Sequence, residues 1–387
     1  MTNRPSRRRF LQAVSAGSLA GAAGCLGGLR SLDEEVPSLQ ADGVWPTFAA
    51  DARNTGHADT TGPTDPEIAW EFETTGRIYD GATVVDETVY LGSTDGNVYA
   101  LDADDGDEQW RFPVLGQVRT TPAVADGLVY AGGTRGGLYA LDAVTGEKRW
   151  STLETKQFSQ SHPTVVDGTV YVGSREGELY GVDAQIGQVQ GSIDIGQYVS
   201  TCPAISDGVI YVGWRGGSAP DANGGGLSAY TMDGERLWQA SPGDVNGSPA
   251  VVDGTVYACT GTAAYAFDAE TGEEQWRFED SGGAGSPAVA NGRVFVGSME
   301  STFYALDAES GEKLWSFSPG KWPEYPAAVA DGVVYMACWA TRTYGLDAET
   351  GEKLWGRSLE NPLSDPAVAD GTMYIAANNR MLALRDA

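Results

Sequence analysis

One segment recurs eight times along this chain of 387 residues. It reads VYALDADDGDEQW from Val98, LYALDAVTGEKRW from Leu138, FYALDAESGEKLW from Phe303 and TYGLDAETGEKLW from Thr343. Weaker copies start at Leu179, Leu227 and Ala264, and the last, MLALRDA from Met381, is cut short by the C-terminus. A period of about 40 residues marks a repeat architecture, in which no unit can bury its apolar face alone and each leans on its neighbours. Such repeats build a scaffold, so specificity must lie where the copies differ.

Each full repeat has the same four parts. A short strand comes first, as in TPAV (121–124), SPAV (248–251) and SPAV (286–289); a proline at the start of an inner, edge strand removes no ladder bond. A two-residue turn follows at Asp126-Gly127, Asp167-Gly168, Asp207-Gly208, Asp253-Gly254, Asn291-Gly292, Asp331-Gly332 and Asp370-Gly371. Asp-Gly and Asn-Gly between alternating segments signal a type I′ hairpin, because both turn residues need positive φ. An alternating second strand, the YALD strand, a D-x-x-T-G turn and a tryptophan-bearing fourth strand complete the unit. Eight units of four antiparallel strands predict an all-β, eight-bladed β-propeller. The tryptophans stand at Trp70, Trp110, Trp150, Trp238, Trp276, Trp315 and Trp355, while the third blade has Gly191 in that place. Trp70 has no strands before it, and the last repeat stops without a tryptophan strand. Residues 68–73 are therefore predicted to supply the outer strand of the last blade and to close the ring, which removes its exposed edges.

These residues resemble the pyrroloquinoline-quinone (PQQ) repeat family, whose tryptophan-docking signature is A-x-D-x-x-T-G-x-x-x-W. Ala140, Asp142, Thr145, Gly146 and Trp150 match it in full, as do Ala266, Asp268, Thr271, Gly272 and Trp276. Asp105 and Ser310 replace the threonine in blades one and six, Gly345 replaces the alanine in blade seven, blade four is shortened and blade three lacks the tryptophan. The resemblance spans residues 66–387 and implies that the repeated Trp, Asp and Gly are structural, the indole seating against the next blade. The family includes quinoprotein dehydrogenases and BamB-type lipoproteins that scaffold outer-membrane protein assembly, so fold does not settle activity. A quinoprotein dehydrogenase is expected to carry an adjacent cysteine pair and long insertions between blades. This chain has no Cys-Cys pair and one short insertion, so its size and leader are more similar to the BamB type.

Residues 1–24 read as an address. Ser6-Arg7-Arg8-Arg9-Phe10-Leu11 fits a twin-arginine export signature, carried by Arg7, Arg8, Phe10 and Leu11. The small-residue stretch after it is too short to span a membrane. It ends at Ala22-Ala23-Gly24-Cys25, which reads as a lipobox with Cys25 as the lipid attachment site; cleavage after Ala20-Gly21-Ala22 is the other reading. Residues 25–65 read as a tether and N-terminal extension, the Gly-, Ser- and acid-rich part being flexible. The expected location is the outer face of the cytoplasmic membrane.

The charge balance narrows the partners. The chain carries 53 Asp+Glu against 25 Lys+Arg, only five of the latter being lysines, for a net charge of −28. Removing the four arginines of residues 1–24 takes this to −32. Such self-repulsion destabilises a compact state at low salt and is screened by concentrated salt. Together with the scarcity of lysine it points to a halophilic, haloarchaeal source, against the plainer reading of an acidic secreted protein. Nucleic acid does not fit this field.

Few residues suggest chemistry. Cys202, Cys259 and Cys338 read as buried small hydrophobes. His57 and His162 lie far apart in sequence, so no histidine-rich metal site is visible. The acidic run from Asp102 to Asp107 superficially resembles a calcium loop, but it sits at the docking turn and lacks the distal glutamate. Asn246-Gly-Ser248 is a lone glycosylation sequon. The variable blade links and hairpins are the better candidates, since loops on rigid scaffolds commonly carry function. Arg119 lies in a link, with Tyr79 and Tyr198 in others. Arg135, Arg175 and Arg215 fall in the second-to-third hairpins of three successive blades, in registers that differ by one residue. The hairpin at residues 214–226 is the longest insertion, and Trp322, Tyr325 and Trp339 add aromatics across the ring. A cationic and aromatic patch on an acidic body would suit an anionic peptide, carboxylate or glycan; scattered charge balance is the alternative. Three readings follow: a monomeric, lipid-anchored protein-binding scaffold or solute-recognition module; a PQQ-dependent dehydrogenase-like enzyme with a quinone and Ca²⁺ over the ring axis; and a structural envelope component. The first is preferred, with no catalytic residue or metal ligand nominated.

Overall fold

A computed structural model describes residues 45–158, 161–199, 201–216, 224–279, 283–323, 325–339, 342–359 and 364–387. The export signal at Arg7, Arg8, Phe10 and Leu11, the attachment site Cys25 and the acidic tether lie outside these residues, as does most of the long insertion. The strands form eight four-stranded antiparallel sheets. In blade 2, for example, Ala123–Ala125, Leu128–Gly133, Gly137–Asp142 and Lys148–Thr152 run outward from the axis. The inner strands of neighbouring blades touch around the ring, and the inner strand of blade 1 meets that of blade 8.

Closure follows the expectation. Glu67–Glu73 pairs antiparallel with Arg380–Arg385, so the first strand in sequence is the outer strand of the last blade. The Asp-Gly and Asn-Gly turns adopt positive φ at both residues, with Asp126 at 50° and Gly127 at 73°. Blade 1 makes the same turn without glycine, holding Asp86 at 48° and Glu87 at 58°. A glutamate at positive φ is uncommon, which is why no turn was visible there in the sequence.

The tryptophan junctions have a repeated geometry. The indole N–H of Trp276 donates to the Ala308 carbonyl of the next blade at 2.9 Å. Trp70, Trp110, Trp150, Trp238 and Trp315 do the same to Ala103, Ala143, Ala184, Ala269 and Ala348. Each of these indoles lies on the glycine of the next D-x-x-T-G turn: a Cβ on Gly311 would come within 2.6 Å of Trp276. That glycine also sits at φ 70°, so an L side chain is excluded on two counts. The turn is tied by its own signature residues, the Asp268 Oδ1 accepting the backbone N–H of Thr271 at 2.8 Å and its hydroxyl at 2.9 Å. Five of these alanine carbonyls receive a second donor, a tyrosine hydroxyl from the second strand of the preceding blade, as from Tyr257 to Ala308 at 3.2 Å. In blade 5 the fourth strand bulges at Gln275, between the pairs Ala266–Trp276 and Phe267–Glu274.

Two junctions depart from the pattern. Blade 3 has no indole, and Tyr171 reaches Met232 across that seam. At the seam between blades 7 and 8 no D-x-x-T-G turn is present to receive Trp355, and its indole turns back over its own blade. A Cβ at position 345 would lie 2.2 Å from the indole nitrogen, so Gly345, the departure from alanine, is what admits this rotamer. The buried indole N–H finds no acceptor among the described residues.

Residues 45–65 do more than extend the chain. They cross the ring and tie it together: Trp45 pairs with Val84 of blade 1, and backbone N–H groups of Val124, Ile205, Val251 and Val289 donate to Pro46, Ala52, Arg53 and Thr55. Val329 pairs with the segment next, Gly371 donates to Thr61, and Thr64 and Asp65 bind the Asp386 carboxylate. Trp45, Phe48, Ala49 and Ala50 are buried in this crossing, which fills the ring beneath the face that carries the blade links.

Candidate functional site

The blade links and the second-to-third hairpins share one end of the strands, and the Asp-Gly and D-x-x-T-G turns share the other. On the link face the structure groups the expected arginines in two places. Arg119, Arg135 and Arg175 line one open depression of about 550 Å³ between blades 2 and 3. The link to blade 2 is held to its hairpin by reciprocal bonds, the Gln117 amide N–H to the Thr134 hydroxyl and the Thr134 amide N–H to the Gln117 carbonyl, both 2.9 Å. Arg119 donates to the Gln117 side chain at 2.8 Å and lies 5.1 Å over the Tyr79 ring; Arg175 lies 5.6 Å over Tyr198. Arg135, Arg175 and Arg119 are exposed, with no carboxylate bonded to them among the described residues.

Arg215, in the same register as Arg175, lines the cavity on the ring axis instead, while Arg135 is the hairpin arginine displaced by one residue. This cavity, of about 270 Å³, is also lined by Arg119, Tyr325, Asp80, Asp365 and the floor residue Phe48. Trp322 joins neither arginine group. It packs against Trp339 in blade 7 at 6.2 Å, across the ring from blade 3, and both indoles are about half exposed.

The axial cavity was not visible in the repeats taken one at a time. Around it run equivalent positions of the eight repeats, each five residues before the first hairpin turn: Gly81, Thr121, His162, Cys202, Ser248, Ser286, Pro326 and Asp365, with Tyr325 beside Pro326 on the cavity wall. They form a hydrogen-bonded belt in which a backbone N–H donates to the side chain of the next blade's residue. Thr121 donates to His162 Nδ1 at 2.9 Å, His162 to Cys202 Sγ at 3.3 Å, Cys202 to Ser248 Oγ at 2.9 Å and Ser248 to Ser286 Oγ at 2.8 Å. Gly81 donates the other way round the ring, to Asp365 Oδ1 at 2.9 Å.

Electrostatics in this belt are unusual for so acidic a protein. Burial raises the Asp365 carboxyl to about 6. Burial and then the nearby Asp365 hold Asp80 well above the usual carboxylate range. The Asp80 side chain lines the cavity and is 31% exposed. His162 Nε2 stands 3.8 Å from Asp80, yet the pair is not ionic, because burial lowers the imidazole to about 3 and keeps it neutral. The bond received at Nδ1 then places the imidazole proton on Nε2, facing Asp80. Cys202 is buried and its thiol raised by desolvation, so with Cys259 and Cys338 it is an unpaired, unreactive thiol.

A Ca²⁺-bound quinone does not fit these residues. Calcium takes six to eight oxygen ligands, whereas Asp80 and Asp365 are the two carboxyl groups on this wall and no cluster of three or more acidic, His or Cys side chains able to hold a metal occurs among the described residues. No step is derived through such a group.

The comparisons agree with this geometry. No curated protein matches the chain significantly. Among solved structures, BamB from Moraxella catarrhalis is similar with a TM-score of 0.70 and 16% identity, over 83% of this chain and 100% of that one. The quinohemoprotein alcohol dehydrogenase from Comamonas testosteroni has a TM-score of 0.73 and 14% identity, over 89% and 81%. The computationally designed protein Ika8 has a TM-score of 0.72 and 15% identity, over 83% and 100%. Enzyme, assembly factor and designed protein thus share one fold, and at such identities the likeness speaks for fold alone. The family model described as outer membrane protein assembly factor BamB matches residues 55–215, 223–321 and 318–387, and the chain belongs to that family.

Proposed function

We propose that this protein is an exported, lipid-anchored propeller that binds a partner protein through its link face. The observation that carries this reading is the convergence of Arg119, Arg135 and Arg175 on one open depression of a chain whose net charge is −28. Exposed arginines stacked on tyrosine rings are pre-ordered for carboxylates, and Arg and Tyr are the residues that anchor protein interfaces. An acidic peptide segment is the complementary partner, and electrostatic steering towards this patch would favour it over the acidic remainder of the surface. The family's named role in assembling outer membrane proteins supports a protein-binding rather than a catalytic reading. The twin-arginine signature and Cys25 support export and anchoring at the outer face of the cytoplasmic membrane.

Two experiments test the halves of this proposal. A photo-crosslinking residue at position 135 should capture a partner in cells, and one at the exposed position 144 on the opposite face should not. Arg119→Glu with Arg175→Glu should abolish the capture. Equal capture from both faces, or capture that survives the charge reversal, would count against the arginine face. Cys25→Ser should move the protein from the membrane fraction into the medium; retention at the membrane would show that the anchor lies elsewhere.

A further inference from the structure

The axial cavity presents two poles of opposite charge that the chain leaves unpaired. Asp80 and Asp365 enter it from the links to blades 1 and 8. Arg215 belongs to blade 4 and Asn246 and Ser248 to the link of blade 5, and in a ring of eight blades these are the walls opposite. Asp365 is 6% exposed, and beyond the Gly81 bond to Oδ1 its other oxygen accepts no hydrogen bond among the described residues. Asp80 accepts none among the described residues, and the neutral His162 stands 3.8 Å from it. At the other pole one Arg215 nitrogen reaches the Asn246 carbonyl only at 3.5 Å, and its buried Nε has no acceptor among the described residues. Burying carboxyl groups without a bonded cation is costly; Arg119 of the blade 2 link lines the same cavity but is bonded to neither aspartate among the described residues, and the wall at blade 4 lacks an acceptor.

A small ligand can supply both. We propose that the cavity binds a free amino acid, its ammonium group between Asp80 and Asp365 and its carboxylate directed to Arg215. An ammonium carries three donors, which suit the vacant acceptors on the two aspartates. A quaternary ammonium has no N–H to give them, and an anion without an ammonium would meet the acidic wall with repulsion. Two carboxyls alone make a poor metal site, as argued above. At about 270 Å³ the cavity lies at the small end of ligand sites, below the drug-sized range. Ser248 and Ser286 add hydroxyls, and Phe48 closes the floor, so the segment that crosses the ring completes the site. Arg119 lines both this cavity and the depression between blades 2 and 3, so the two share that side chain, whereas Asp80, Asp365 and Arg215 line the axial cavity alone.

The test is titration calorimetry on the purified protein with each standard L-amino acid, and with propionate, ethylamine and glycine betaine as controls. At least one amino acid should bind one-to-one, with propionate and betaine weaker by on the order of 30-fold or more, the loss of a buried charge partner. Asp365→Asn and Asp80→Asn should each weaken the amino acid to a similar extent, while Arg215→Gln should weaken it without changing ethylamine binding. If Asp365→Asn does not fold, as judged by circular dichroism, Asp80→Asn carries the test, because that side chain is partly open. Absence of binding by every amino acid, wild-type affinity in Asp80→Asn, or betaine binding as tightly as the amino acid would overturn the assignment.

Discussion

Deletion of residues 67–73 should turn a closed ring into an open, aggregating one. This strand pairs with Arg380–Arg385 along its length and carries Trp70, whose indole docks on Ala103 and Gly106 of blade 1. Glu71 and Glu73 add bonds to Arg380 of the paired strand and to Asn379 in the turn before it. Without it, Arg380–Arg385 becomes an unpaired edge of alternating Met, Leu and Ala, the kind of surface that pairs with another chain. The seam between blades 7 and 8 is already the one where Trp355 makes no docking bond, so blade 8 would be held on one side by an undocked indole and on the other by nothing. Residues 45–65 would still tie the inner strands, which is why collapse of the outer rim rather than full unfolding is the expected first step. Size-exclusion chromatography and thermal unfolding would show it: oligomers and a broadened, lowered transition are expected. A monomer melting with the cooperativity of the intact chain would mean that the crossing segment, not the outer strand, closes the ring.

Much of this architecture could be read directly from the chain. A D-x-x-T-G turn repeated with a tryptophan at fixed spacing leaves little freedom, because the turn's glycine must lie at positive φ and beneath an indole. Closure was legible for the same reason, since Trp70 had no blade and the last blade had no tryptophan. The crossing segment was not. Trp45 and Phe48 stand outside any repeat; Trp45 pairs with the backbone of Val84, which leaves no mark on sequence, and Phe48 packs on His162, a residue peculiar to one repeat. The axial site was hidden differently. Its belt residues occupy one position in every repeat, and that position reads Gly, Thr, His, Cys, Ser, Ser, Pro and Asp in turn. Among repeats that otherwise agree, a position that varies this much is the trace of a site, but only the ring brings these residues together. The arginines were legible but register does not divide them: Arg135, displaced by one residue, and Arg175 meet Arg119 at the rim, while Arg215, in register with Arg175, lines the axial cavity.

Trp276→Ala should be the most damaging single substitution tried at a docking junction, with a loss of about 3–5 kcal/mol in unfolding free energy. The indole is 8% exposed, packs 5.9 Å from the Tyr257 ring and covers Gly311, so its removal opens a cavity between blades 5 and 6. The Ala308 carbonyl would not be orphaned, since the Tyr257 hydroxyl still donates to it at 3.2 Å. Most of the loss is therefore packing, and the lost hydrogen bond adds about 1 kcal/mol. Trp355→Ala separates the two contributions. That indole is 4% exposed and packs on Tyr335 at 6.0 Å, but its N–H is buried without a partner, and deleting it removes a penalty of about 1–3 kcal/mol together with the packing. Trp355→Ala should thus cost less than Trp276→Ala, by at least the worth of one hydrogen bond. Denaturant titrations of the two variants in the same salt would decide it. A loss below about 1 kcal/mol for Trp276→Ala would remove the docking role, since even one core methyl or two is worth that much. Equal losses for both would mean that indole packing alone joins the blades and that the alanine carbonyl is incidental.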